Sequence, residues 1–144
     1  MRLELGVLAE AATEKNGQLN ILGTFDLLTA EQFPFVMPHL ALAIKIRAHS
    51  TEIGKHSIRI VLRNSDGKVV QMPNGQPCEL TAEGELGPSK IGAWADPSAQ
   101  FVLNYQGLHI PKPGAYSFSI VVDGHHVGDV SFFVIDGRRA AQAA

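Results

Sequence analysis

The 144-residue sequence has one cysteine, only 18% charged side chains and no marked excess of either sign. It also lacks any apolar run near the roughly 18 residues that suggest a membrane-spanning helix. A lone thiol, Cys78, excludes an intramolecular disulfide and favours a reducing compartment. Twelve Lys and Arg against fourteen Asp and Glu give a formal charge of -2. That balance sets up no strong field toward nucleic acid or an anionic membrane. A secretory signal needs a charged start and then about 7–15 continuous apolar residues. Glu4 and Glu10 interrupt any such run here. The expectation is a cytoplasmic protein without a membrane segment.

What is present is globular. Apolar residues make up 45%, with Gly 14 and Pro 8, and a chain of this length buries roughly two thirds of its unfolded surface. One domain over 1–136 is expected, followed by a tail, 137–144, without a core pattern.

The dominant pattern has a period of two, the mark of half-buried strands. Leu3, Leu5, Val7 and Ala9 are read as one face of the first strand, and Leu19, Ile21, Phe25 and Leu27 as one face of the second. Asn16-Gly17 between them tolerates positive φ and closes a hairpin. The competing reading, a helix over 9–15, is too short to be stable without strong packing. Leu40, Leu42, Ile44 and Ile46 then alternate with Lys45 and Arg47, and Ile58, Ile60 and Leu62 with Arg59 and Arg63. A short strand is expected at 68–72, and an edge or solvent-facing strand at 77–83 through Cys78, Leu80 and Ala82. Residues 84–98 form a long loop. Alternation resumes at 100–106, and Tyr116, Phe118, Ile120 and Val122 line the penultimate strand. Asp123-Gly124 turns into the last strand, where Gly128 marks a bulge because Val127 and Val130 belong to opposite faces. The whole predicts an all-β, mainly antiparallel sandwich of about 8–9 strands.

The segments LELGVLAEAATEKNGQLNILGTFDLL (3–28), AEQFPFVMPHLALAIKIRA (30–48) and LHIPKPGAYSFSIVVDGHHVGDVSFFV (108–134) resemble a bacterial family of short β-sandwich proteins that carries only a domain-of-unknown-function label. The resemblance implies a fold and brings no catalytic residues. More loosely, Gly114-Ala115-Tyr116 entering the penultimate strand resembles the tyrosine corner of immunoglobulin-like and fibronectin-like Greek-key domains. The Cys pair of antibody domains is absent.

The search for chemistry yields little. His39, His49, His56, His109, His125 and His126 have no metal-ligand spacing, the aspartates form no D-x-D loop, and no phosphate-binding or nucleophile motif occurs. No metal or cofactor is expected. Arg59, Arg63, Lys45 and Arg47 would form a basic stripe if their strands were neighbours, but without aromatics for base stacking no nucleic acid is expected. Two features bear on recognition: the apolar crossover with Phe33 and Phe35, read first as a lid on the core and otherwise as an exposed patch, and Trp94, an aromatic in a long loop, read first as packing down onto the sheet edge and otherwise as a binding anchor. These three residues form the candidate interaction surface. The leading expectation is a non-catalytic protein-binding or assembly module with a protein partner. The alternatives are a small-ligand or carbohydrate-binding module, with Trp94 stacked on a sugar, and an enzyme whose acid–base site shows only in three dimensions. An unpaired edge strand would allow a homo-oligomer.

Overall fold

The computed structural model describes residues 1–138. Nine strands form two sheets: β1 (Arg2–Lys15), β2 (Gln18–Phe25), β3 (Leu27–Ala30), β4 (Phe35–Arg47), β5 (Gly54–Asn64), β6 (Glu79–Leu86), β7 (Ser98–Ile110), β8 (Gly114–Val122) and β9 (His125–Asp136). One sheet has the order β2-β1-β4-β7, the other β3-β9-β8-β5-β6. Every pairing between these strands is antiparallel except β3 with β9. The pairs β4–β7 and β5–β8–β9 repeat the B–E and C–F–G pairings of an immunoglobulin-like Greek key. The tail reading from 137 onward lies, beyond Arg138, outside the described residues.

The alternation seen in the sequence does what it implies. Leu40, Leu42, Ile44 and Ile46 of β4 meet Phe118, Ile120 and Val122 of β8, with Ile60 and Leu62 of β5, in one buried cluster. Phe118 stacks on Phe132 with ring centroids 5.7 Å apart, and Tyr105 tilts onto Phe118 at 5.1 Å. Such pairs add about 0.5–1.5 kcal/mol each beyond the area they bury. Both hairpin tips take positive φ at each central residue, 52° and 76° at Asn16-Gly17 and 51° and 81° at Asp123-Gly124. This backbone twist matches that of the strands it joins. Tyr116 donates its hydroxyl to the Lys112 carbonyl at 2.6 Å, the geometry of a tyrosine corner.

Four details depart from the sequence reading. The register of β1 against β4 shifts between Leu3 and Leu5, so Leu3 and Leu8 enter the main core while Val7 packs in a second cluster. Leu27, expected inward, is exposed and Leu28 packs on the core instead, because the chain changes sheets after Phe25. Residues 68–72 contribute isolated bridges, not a strand of their own. The loop after β6 is shorter than expected, because β6 continues to Leu86.

The β1–β2 hairpin does not simply widen its sheet. Ala12 and Ile21 pack with Ala41, Ala43 and Val102, which alternate with the core residues of β4 and β7 and so lie on the outer face. The Gln100 side chain donates to the Gly17 carbonyl at the hairpin tip. The hairpin therefore folds back over the outside of β4 and β7. Small residues at 41 and 43 leave room for it.

The bulge lies just before Gly128, since Ile120 pairs with Gly128 but Val121 with His126. The glycine itself is required sterically: a Cβ there would lie 2.7 Å from that of Leu3. Gly128→Val should therefore destabilise the fold by roughly 1–3 kcal/mol in urea titration. Tyr116→Phe, which removes only the corner hydroxyl, should cost about 1 kcal/mol.

Candidate binding surfaces

β6 and β7 are edge strands on the same side of the sandwich, and between them the sheets enclose an open cleft of about 350 Å³. Ile46, Ile58, Ile60, Phe101 and Leu103 give it apolar walls, and Leu80, Ala82 and Leu86 line it from β6. Leu80 remains 39% exposed. Alternation gave Leu80 and Ala82 their inward direction but not the open space between them and β7.

At the mouth stands His56, with Glu83 and Glu85 nearby. A histidine beside carboxylates in a cleft is the arrangement an acid–base site would need. Its bonding argues otherwise. Nδ1 meets the Asp123 carboxylate at 2.5 Å and Nε2 meets the Glu52 carbonyl. Both partners only accept, so each nitrogen must carry a proton and no lone pair is left for a base. The Asp123 hydrogen bond, then that to Glu52, raises the His56 pKa above its ordinary value. Asp123 also accepts the Ser57 amide at 2.8 Å, and its own pKa is lowered, first by His56. Glu52 accepts the His49 amide at 2.8 Å, which holds its carboxyl below the usual range. The group ties the turn at 50–52 and the β8–β9 hairpin to the start of β5.

The second surface is the loop 87–97. Trp94 does not pack down onto the sheet edge as expected: it is 81% exposed and Ile91 69%, and both border a shallow groove with Arg2, Glu4, Arg47 and Asp96. The loop is braced. Arg47 donates to the Asp96 carbonyl at 3.0 Å, the Ala48 amide to that of Pro97 at 2.9 Å, and the Ala95 amide to that of Gly92 at 3.1 Å. Gly92, at φ 133°, lies against the indole: a Cβ there would come within 2.6 Å of Trp94 Nε1. Arg47 also grips Glu4 at 2.7 and 3.1 Å, and chiefly that bond lowers the Glu4 carboxyl to about 2.

The three residues proposed from sequence are not brought together. Phe33 and Phe35 pack against the main core, as a lid would, leaving Val36 exposed. Phe35 opens β4 and Arg47, under the Trp94 loop, closes it. Thirteen residues at roughly 3.3 Å each put the two features about 40 Å apart. Cys78 is buried just before β6, and burial pushes its thiol up to about 11, far from a reactive thiolate. His39 bonds the Glu10 carbonyl and the Asn104 side chain, and His126 bonds Asp129 at 3.0 Å. The basic stripe does not form, since β4 and β5 lie in different sheets. Arg59 pairs with Glu79, and Arg47 and Lys45 with Glu4. Among the described residues no three His, Cys, Asp or Glu cluster closely enough to hold a metal ion, and no helix is long and apolar enough to cross a membrane.

Two Greek-key sheets joined through a tyrosine corner define an immunoglobulin-like sandwich. Within that class the chain belongs to a family of unknown function (DUF6941), whose family model matches residues 4–135. No curated protein matches it. Among solved structures it is similar to an immunoglobulin-like protein from Pseudomonas aeruginosa, with 12% identity over 93% of this chain and 95% of that one, at a TM-score of 0.46. It is also similar to part of the alkylpurine DNA glycosylase AlkC of Pseudomonas fluorescens bound to DNA with an abasic site analog, at 10% identity and TM-score 0.47. That match covers 76% of this chain and 27% of the glycosylase. A third likeness is to a β-glucosidase from Listeria innocua in complex with glucose, at 11% identity and TM-score 0.44, covering 90% of this chain and 16% of the enzyme. The chain thus spans about a quarter or less of those two enzymes, and what they act on is a property of those proteins.

The His56 bonds predict a pH dependence. A pKa raised on folding contributes stability that is complete below the unfolded value, near 6.5, and is lost as pH rises through the folded value. His56→Gln should lower the urea midpoint clearly at pH 6 and less at pH 9. An equal loss at both would contradict the charged, doubly donating imidazole.

Proposed function

We propose that the protein is a non-catalytic binding module, acting in the cytoplasm, that docks a protein partner through the loop carrying Trp94. The observation that carries this reading is an indole held exposed on a braced loop. Large aromatics fixed before contact bind with little further loss of freedom, and tryptophan is enriched among residues that dominate interface energy. Ile91 beside it extends the apolar patch.

A sugar-stacking role fits the groove less well. Two of the four charged groups there that could recognise hydroxyls, Glu4 and Arg47, are already bonded to each other. A catalytic role finds its best candidate in His56, whose two nitrogens are both engaged. The buried thiol of Cys78 supports a reducing, cytoplasmic setting.

Affinity capture from the native host, followed by rebinding of the purified partner, tests the proposal. Trp94→Ala should weaken binding by about 2 kcal/mol or more, roughly thirtyfold, and leave the unfolding midpoint unchanged. A purified partner that binds wild type and variant equally would overturn the docking site. Failure to recover any specific partner would count against the module itself.

A further inference from the structure

We propose that the groove bordered by Trp94 takes an acidic segment of the partner protein, with an apolar side chain against the indole and a carboxylate against Arg2. The assignment rests on the Trp94 docking site proposed above and names the chemistry of what docks there.

The register of β1 against β4 places Arg2 directly opposite Arg47. Cross-strand partners point to the same face with Cβ atoms roughly 4.5–5.5 Å apart, where like charges repel. Lys45 lies on that face too, two residues before Arg47. Two carboxylates, Glu4 and Asp96, stand among these three cations. Glu4 is shared, since it bonds Arg47 through both oxygens and meets Lys45 at 3.4 Å. Asp96 gives its carbonyl to Arg47 at 3.0 Å. Its charge acts on the same guanidinium, whose pKa is raised first by the bond to Glu4 and also by the charges of Glu4 and Asp96. Arg2 is left over. It is exposed, and among the described residues it makes no ion pair. In a chain whose formal charge is -2, this corner carries an uncompensated cation.

The apolar part of the site adjoins it, because Arg2 borders the same groove as Trp94 and Ile91. A partner seated on the indole excludes water from the groove, and charge pairs strengthen as water leaves. A neutral segment would cover Arg2 without a counter-ion, which costs the desolvation of an unpaired charge. A basic segment would meet Arg2 and Arg47 with like charge. A carboxylate satisfies the guanidinium with two parallel hydrogen bonds. Nucleic acid also offers anions, but a bound strand needs a row of cations and aromatics for successive bases. Trp94 is the one aromatic among the residues lining this groove.

The test is selection of phage-displayed random dodecapeptides on the full chain, counter-selected on Trp94→Ala. The expected peptides carry Asp or Glu within a few residues of an aromatic or large aliphatic side chain. Made synthetically, they should lose at least tenfold in affinity on Arg2→Gln and more on Arg2→Glu. Replacing the peptide's acid by lysine should abolish binding to the wild type and restore it to Arg2→Glu. Binding to the wild type should weaken as salt rises, and binding to Arg2→Gln should respond less. Changing the peptide's acid to its amide tests the same contact on the wild-type chain, whose folding is not in question, and an unchanged affinity would overturn the acid. Trp94-dependent peptides that lack acids, or that bind Arg2→Gln as tightly as wild type, would overturn it too and leave the Trp94 site standing. Recovery of no Trp94-dependent peptide would overturn both. A thymine oligonucleotide that binds the wild type and not Arg2→Gln would assign Arg2 to phosphate instead and overturn the acidic segment.

Discussion

The contact that the other strands depend on is the burial of one face of β4 against one face of β8. Leu40, Leu42 and Ile44 on one side and Phe118 and Ile120 on the other are fully buried, and each strand sits inside its own sheet. Fully burying an aliphatic or aromatic side chain of this size contributes roughly 1.5–3 kcal/mol, so this seam outweighs any exposed ion pair in the molecule. The neighbours then follow from pairing: β1 and β7 flank β4, β9 and β5 flank β8. Polar residues alternate outward from the seam wherever no further layer covers them.

From the seam outward the two sheets differ. Beyond β5 the second sheet still has β6, whereas among the described residues no strand pairs beyond β7 in the first. The hairpin that could have supplied width on the far side folds onto the outer face, where alanines at 41 and 43 accept it. The apolar cleft is a consequence of this mismatch in width. Leu80 and Ala82 keep the inward direction that the pleat gives them, but the layer they would bury against ends one strand early.

That mismatch also explains what could be read from sequence. Alternation on β4, β5 and β8 identified the core because each strand carries one apolar phase only. At Gly128 the glycine and the change of phase announced a bulge, which the register shift between Ile120 and Val121 matches. The irregularity in β1 gave no such sign. Leu3, Leu5, Val7 and Ala9 share one phase and only Leu8 falls in the other, so the pattern points to one face; the register shift against β4 brings Leu3 and Leu8 together into the core. The exposure of Trp94 depends on bonds from the Arg47 side chain and the Ala48 amide to carbonyls about 50 positions away, which no local pattern encodes. His56 begins a strand in sequence, yet its partner Asp123, 67 residues away, meets it only because β5 lies beside β8, while the Glu52 carbonyl lies just four residues before it. The cleft is a property of sheet width, and width is a sum over all pairings.

Loop 87–97 joins the two surfaces. It leaves β6 at Leu86, opposite Gly54, and enters β7 at Ser98, opposite Arg47, so it must cross from one sheet to the other at the end of the cleft nearest His56. Crossing there fixes its length and holds its far side against β4 through Arg47 and Ala48. A loop anchored in this way on one side of the crossing has little freedom left for Trp94 to lose on contact. The open edge has the opposite character. Its walls are preformed, but the backbone groups along β7 lack the strand partner that would complete the sheet. One surface presents a side chain already set in place, and the other presents a row of unpaired backbone groups above an apolar floor.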